Sequence, residues 1–456
     1  MNPSLNTPNS TNPVTPTVIF LFWVPLALMW LMMAIEQPAL AAVVARLPDE
    51  TVNLAAFGIA FSLALVVESP IIQLLTAGTA LAGDRRRYRT LLRFMHLLAV
   101  VLTLLHLLIA LTPLFEFIVR TLLTVPEHLV EPSRRAFLLM APFAAAVGYR
   151  RLWQGVLIRY GHTAVIPVTM IVRLVASGTV LLWGLSTAAV PGASLAAIAL
   201  IAGVVGSAIA SWIFCRPVLS REMPEPGPDD EVLDRRSLLS FYVPLSLTSI
   251  IFLCAQPLLT FGMSRAQFPV HALAVWPVIN GYLFLFNSLA LSYQEAVVAL
   301  LARGRENYPP VRRFTWYLAG AIGVLFLVTA VTPLSEIWFR VVSGLPAALL
   351  PFTAAPVMIL FLVPMLATAK SWFRGKLVHE RRTGALATAV VLHSIVLFLC
   401  VWLGPIFFEI PGALLAAISL IVALAVEAGF LWRRSVVVAV REAERCTAAA
   451  ESVSAG

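Results

Sequence analysis

Long apolar runs decide what this chain can fold into. A helix needs about 20 apolar residues to cross the hydrocarbon core of a bilayer. Twelve stretches reach that length, at roughly 18–45, 54–82, 90–113, 135–158, 162–187, 191–216, 238–264, 270–302, 312–333, 351–377, 383–407 and 411–433. With 60% hydrophobic and 12% charged residues, a 456-residue chain cannot cover that much apolar surface in water. Backbone amides in lipid have no water to bond, so each run is expected to be a helix. The fold class is an all-α polytopic membrane protein with 12 transmembrane helices. Internal prolines such as Pro70, Pro142, Pro167, Pro277 and Pro364 are expected to bend several of them.

Positive charge gives the orientation. The segments after helices 2, 4, 6, 8 and 10, counted with the adjoining helix ends, and the C-terminal end hold 25 of the 32 Lys and Arg residues. The opposite side holds six: Arg46, Arg120, Arg134, Arg135, Arg265 and Arg340. Arg173 falls within a helix. By the positive-inside rule both termini are cytoplasmic. The net charge of +9 is thereby accounted for by topology, and no nucleic-acid partner is expected. Cys215, Cys254, Cys400 and Cys446 show no metal-ligand spacing and are expected to be free thiols. The opening run lacks a basic flank, so no cleaved signal peptide is read.

The chain repeats itself. Phe22 to Arg46 (FWVPLALMWLMMAIEQPALAAVVAR) returns as Tyr242 to Arg265 (YVPLSLTSIIFLCAQPLLTFGMSR). Pro25 matches Pro244, Gln37-Pro38 matches Gln256-Pro257, and Arg46 matches Arg265 at an offset of 219. At an offset of 220, Thr112-Pro113-Leu114 matches Thr332-Pro333-Leu334, Glu116 matches Glu336, and Gly155 matches Gly375. Six helices per half make the repeats parallel rather than inverted, a pattern that suggests a transporter with its substrate site between them. The domains read as a disordered tail 1–17, an N-lobe 18–218, a polar cytoplasmic linker 219–237, a C-lobe 238–434 and a cytoplasmic tail 435–456.

Ionisable groups in hydrocarbon cost about 2.5–3.5 kcal/mol each on insertion scales, so each requires a reason. Glu36 in helix 1, Glu68 in helix 2 and Arg173 in helix 5 have Ala255, Asn287 and His393 as repeat partners. Buried carboxylates are thus expected in the first half only, and that asymmetry makes Glu36, Glu68 and Arg173, with His393, candidates for H⁺ or Na⁺ coupling. The alternative is that Glu36 or Glu68 neutralises Arg173 and ties helices together. Glu295 and Glu427 read as interfacial. On helix 4, Arg150 and Arg151 precede Gln154; their partners on helix 10 include Lys370 for Arg150 and Arg374 for Gln154. Positions i and i+4 share a helix face. Both halves therefore set a cation at the same depth, which suits an anionic ligand such as a carboxylate or phosphate. The alternative is ordinary snorkelling anchors. Asn280, Asn287 and Gln294 share a face of helix 8 and are candidates for lining a polar cavity or bonding neighbouring helices. His96 and His106 read as core residues. Segments 114–133 and 334–350 read as amphipathic surface stretches.

No HExxH, GxSxG or Walker A motif occurs, so ATP-driven transport is unsupported and an enzyme has no motif behind it. The sequence resembles the MATE-like (multidrug/oligosaccharidyl-lipid/polysaccharide exporter) superfamily, and within it the progressive ankylosis protein family. The resemblance is carried by Val24-Pro25-Leu26 with Glu36-Gln37, AFGIAFSL from Ala56, RRAFL from Arg134, Ser240-Phe241 with Pro244-Leu245, and Pro257 with Ser264-Arg265. It implies a V-shaped, two-lobe exporter with alternating access, and for animal members export of small polyanions such as ATP, citrate or pyrophosphate. An aspartate that many multidrug members carry on helix 1 is not evident, and Glu36 is its candidate replacement. The expected function is secondary export of small organic anions across a bacterial inner membrane by a monomer, with no cofactor beyond H⁺ or Na⁺. Arg150, Arg151, Gln154, Lys370, Arg374, Asn280 and Asn287 are the substrate-binding candidates. The rivals are a proton- or sodium-coupled polyspecific drug or cation antiporter, a lipid-linked precursor flippase and a membrane enzyme.

Overall fold

Among the described residues every regular element is a helix, apart from one isolated bridge between Gln267 and Pro411. The computed structural model describes residues 14–454 except 45, 123–126, 188, 228–231, 254, 344 and 346. Most of the expected N-terminal tail (1–13), linker residues 228–231 and Cys254 lie outside the described residues, as do the side chains of Gln37, Pro38, Gln256 and Pro257. Nine described helices are long and apolar enough to cross a membrane, and one bent pair makes a tenth. The run 135–158 is divided at a turn over Met140–Pro142, and in the run 238–264 helix is described over Arg235–Leu253 and Ala255–Arg265. A stripe on the third apolar run, Leu97, Leu104, Leu108 and Leu111, is exposed, as a lipid-facing surface requires.

Two compact units divide the chain, the first from Phe20 to Ile250, the second from Ile251 onward together with residues 14–19. The first holds most of α1 (Pro16–Val44), then α2 (Glu50–Glu68), α3 (Leu74–Leu81), α4 (Arg85–Leu111), α5 (Leu114–Glu116), α6 (Glu127–Leu139), α7 (Phe143–Arg159), α8 (Ile166–Thr187) and α9 (Gly192–Pro217). It also takes the start of α10 (Arg235–Leu253). In the first unit α9 packs along both α7 and α8, and its buried face is built of Ala196, Ala199, Gly203 and Ser207. Small residues let helix backbones approach closely where lipid offers no hydrophobic drive.

The run 54–82 is broken. α2 ends at Glu68, and the chain turns by 58° through Ser69 and Pro70 before continuing to Leu81. Proline removes one N–H and crowds the preceding turn, which frees carbonyls inside the membrane. The Tyr242 hydroxyl donates to the Pro70 carbonyl at 2.6 Å, and Gln73 Nε2 donates to Ser249 Oγ at 2.6 Å. Side chains of α10 thus fasten the bend.

The second unit contains the end of α10, α11 (Ala255–Arg265), α12 (Pro269–Leu301), α13 (Tyr308–Val331), α14 (Pro333–Glu336), α15 (Pro351–Leu360), α16 (Leu362–His379), α17 (Thr383–Phe407) and α18 (Gly412–Ser454). Here α12 runs unbroken for 33 residues. Ser288 and Leu289 stand where the first half has Ser69 and Pro70, so the breaking residue is absent.

Repeat-matched glycines make matched contacts. A Cβ on Gly155 of α7 would lie 2.5 Å from the Leu75 carbonyl oxygen and 3.0 Å from Gly78 Cα on α3. A Cβ on Gly375 of α16 would lie 2.6 Å from Val297 Cγ1 and 3.1 Å from the Gln294 carbonyl on α12. Segments 114–133 and 334–350 also start alike. α5 and α14 each run into a wide turn, Phe117–Leu122 and Ile337–Val342. Glu116 accepts from Arg134 at 2.8 Å and Glu336 from Arg340 at 2.9 Å.

Candidate functional site

Each unit buries its own cluster of charges. In the first, α8 carries Arg173 against Glu36 of α1. Arg173 Nε donates to Glu36 Oε1 at 2.7 Å and Nη2 to Oε2 at 2.5 Å, with both side chains buried. This is the bidentate fork in which a guanidinium matches a carboxylate plane. The reading of Glu36 as tied to Arg173 is the one this geometry matches. Glu68 stands at the helix break, buried, within the field of Arg150, Arg151 and Arg173. Its Oε2 has no hydrogen-bond partner among the described residues.

Arg150 and Arg151 are adjacent on α7 yet both are buried, at 1% and 4% exposure, because α7 is enclosed by α3, α4 and α9. They are therefore not anchors reaching to an interface. Arg151 lies over the Trp30 ring at 5.7 Å. Arg150 Nη1 points at the Met170 sulfur at 3.8 Å, and its Nε has no partner among the described residues. A thioether is a weak acceptor for a guanidinium. Gln154, fully buried, donates to Thr169 Oγ1 at 3.1 Å and leaves its Oε1 unpaired among the described residues. The cluster holds the guanidiniums of Arg150, Arg151 and Arg173 against the carboxylates of Glu36 and Glu68, an excess of one positive charge in a low-dielectric interior.

In the second unit the cluster is centred on Glu427 of α18. Lys370 Nζ lies 3.2 Å and His393 Nδ1 3.1 Å from Glu427 Oε2, and Arg374 Nη1 lies 3.8 Å from Oε1. Arg374 Nε donates to Gln294 Oε1 at 2.9 Å, and Gln294 is within 3.4 Å of Glu295. Two sequence readings are corrected here. Glu295 and Glu427 are buried, not interfacial, and buried carboxylates are not confined to the first half. The cause is the basic trio Lys370, Arg374 and His393, which lies at the same level of the unit and holds Glu427 in place. A signal was available, since an offset of 220 aligns Glu427 with Ser207, another asymmetric and buried pair.

Asn280 and Asn287 lie on α12, both half-buried. Among the described residues the Asn287 Oδ1 has no hydrogen-bond partner, and neither asparagine bonds the basic residues. His106 is buried, stacked on Phe137 with Nε2 2.6 Å from the Phe137 carbonyl oxygen. His96 is exposed with its ring edge against Tyr149, not a core residue, because it falls on the outward face of α4.

Residues 7–275 match the model of the family "Progressive ankylosis protein (ANKH)". Among solved structures, a MATE protein in its bent conformation aligns with a TM-score of 0.74 at 15% identity, over 94% of this chain and 97% of that one. An outward-facing multidrug resistance MATE family transporter of the MOP superfamily gives 0.69 at 16%, over 94% and 97%. A MOP superfamily transporter from Pyrococcus furiosus gives 0.72 at 15%, over 93% and 96%. The chain is a multi-pass membrane protein with the fold of these proteins, which are transporters and not enzymes.

Proposed function

The chain belongs to the progressive ankylosis protein family, and from that premise we propose that it exports small organic anions by secondary, alternating-access transport. One observation carries the reading. Arg150 is a fully buried guanidinium whose described partner is a sulfur atom, in a cluster with one more positive than negative charge. A buried guanidinium whose Nε finds no hydrogen-bond partner among the described residues is costly, so the site is expected to gain from an external anion. A carboxylate or phosphate group matches a guanidinium fork in shape and charge. Arg151 and Gln154 in the first unit, and Lys370 and Arg374 in the second, extend the same chemistry. Asn280 and Asn287 add neutral polar groups. Glu36, Glu68, Arg173 and His393 remain the candidates for H⁺ or Na⁺ coupling. Pocket charge varies within this fold. The Pyrococcus furiosus transporter is described by a reverse polarity of its binding pocket that suggests a different function. The distribution of Lys and Arg supports cytoplasmic termini, and the setting we propose is a monomer in a bacterial inner membrane.

Efflux from proteoliposomes tests the reading. Labelled citrate or ATP is expected to leave vesicles carrying the wild type, and the Arg150→Ala/Lys370→Ala pair is expected to abolish it. Export of cationic dyes under a proton or sodium gradient, with neither anion moved, would make the glutamates the substrate site.

A further inference from the structure

The second unit's basic residues already hold an anion, and it belongs to the protein. Glu427 is 2% exposed, with one oxygen 3.2 Å from Lys370 and 3.1 Å from His393 and the other 3.8 Å from Arg374. Those basic groups come from α16 and α17, the carboxylate from α18. An external carboxylate or phosphate approaching Lys370 and Arg374 would meet the position that Glu427 fills. We propose that Lys370, Arg374 and His393 form a proton-linked anion site, for which Glu427 is a tethered competitor displaced when the cluster takes up a proton. The inference rests on the anion-export reading and deepens it by naming how one of its basic sites is regulated.

The sign does not depend on which group takes the proton. A proton on Glu427 removes its charge and its attraction for Lys370 and Arg374. A proton on His393 adds a cation. Either raises the net positive charge of the site by one, so anion binding and proton binding favour each other. The surroundings supply few rival titrations. Of the helices packed on α18, α17 contributes His393, α16 contributes Lys370 and Arg374, and α12 contributes Glu295, behind Gln294. α15 has no titratable residue, and the described end of α11 carries only Arg265. Lys376 is turned away, donating to the Ser435 carbonyl at 2.7 Å and lying 3.8 Å from Glu380. The matched position in the first unit is Ser207, which cannot compete for an anion, and the cations there are all arginines, which do not titrate.

Calorimetry on the full chain with oxalate, a dicarboxylate that stays doubly ionised above about pH 6, reads the linkage. Titrations in two buffers of different ionisation enthalpy count the protons exchanged. The wild type is expected to take up about one proton per anion bound at a site lost in Lys370→Gln, with affinity rising up to about tenfold per pH unit as pH falls. Glu427→Gln is expected to tighten oxalate binding at neutral pH by about tenfold and to lower the proton count. The wild-type proton count needs no variant, so it decides the matter if Glu427→Gln does not fold. Oxalate binding that Arg150→Gln weakens, but that shows neither proton uptake nor a response to Glu427→Gln, would overturn the inference alone. Failure of the wild type to bind oxalate or citrate at any pH would overturn the inference together with the anion reading.

Discussion

The two units set basic residues at the same repeat positions and partner them differently. Arg150 and Arg173 of the first correspond to Lys370 and His393 of the second. In the first unit the carboxylates come from α1 and α2, with Glu36 gripped by Arg173 and Glu68 at the end of a broken helix. In the second a single carboxylate on α18, Glu427, faces all three basic groups, and α12 is unbroken. The basic groups of the first cluster are all arginines, fixed in charge, and they outnumber its two carboxylates, Glu36 and Glu68. The second is built of lysine and histidine as well as arginine, and its carboxylate closes it. The repeat-matched positions keep basic residues, while the carboxylates stand on different helices.

The largest effect should come from breaking the first unit's fork. Arg173→Met leaves Glu36 buried without its partner and is expected to destabilise by about 3–5 kcal/mol, seen as a lower thermal midpoint in detergent. Glu36→Gln/Arg173→Met is expected to recover most of that loss. His393→Gln, at the matched position, should cost less than about 1 kcal/mol, because Glu427 keeps Lys370 and Arg374. Equal losses at the two positions would erase the distinction.

The packed glycines test on a smaller scale whether matched positions behave alike. Gly155→Ala drives a methyl group against the backbone of α3 at Leu75 and Gly78, and about 1–3 kcal/mol is expected. Gly375→Ala meets Val297 Cγ1 and Cβ and the Gln294 carbonyl, and rotation of Val297 does not move its Cβ, so a comparable loss in a melting curve is expected there. Tyr242→Phe removes the donor to Pro70 at the helix break and should cost about 1 kcal/mol. Faster amide exchange is expected around Ser69–Pro70, with no such change along α12.

Much of this was legible in the residues. The repeating sequence pointed to Gly155 and Gly375, the matched surface segments and the basic residues at 150 and 370, and the glycines make close helix contacts at both matched positions. Glu36 and Arg173 were seen as one of two readings, but no sequence pattern states that side chains 137 residues apart meet as a fork. Glu427 was misread because Arg433 and Arg434 follow it within two turns and mark an interface. Depth is set by what packs alongside, and only the fold brings α16 and α17 to that turn of α18. The bend at Ser69–Pro70 was expected from proline, while Tyr242, the residue that fastens it, comes from a helix far along the chain.

Binding of citrate at about pH 7.5 to Arg150→Gln and to Lys370→Gln tests the central claim, that the first unit's basic site is open to an anion and the second's is closed by Glu427. We expect Arg150→Gln to weaken binding by more than about tenfold and Lys370→Gln to change it by less than about threefold. The reverse order, with Lys370 dominant and Arg150 indifferent, would contradict the account.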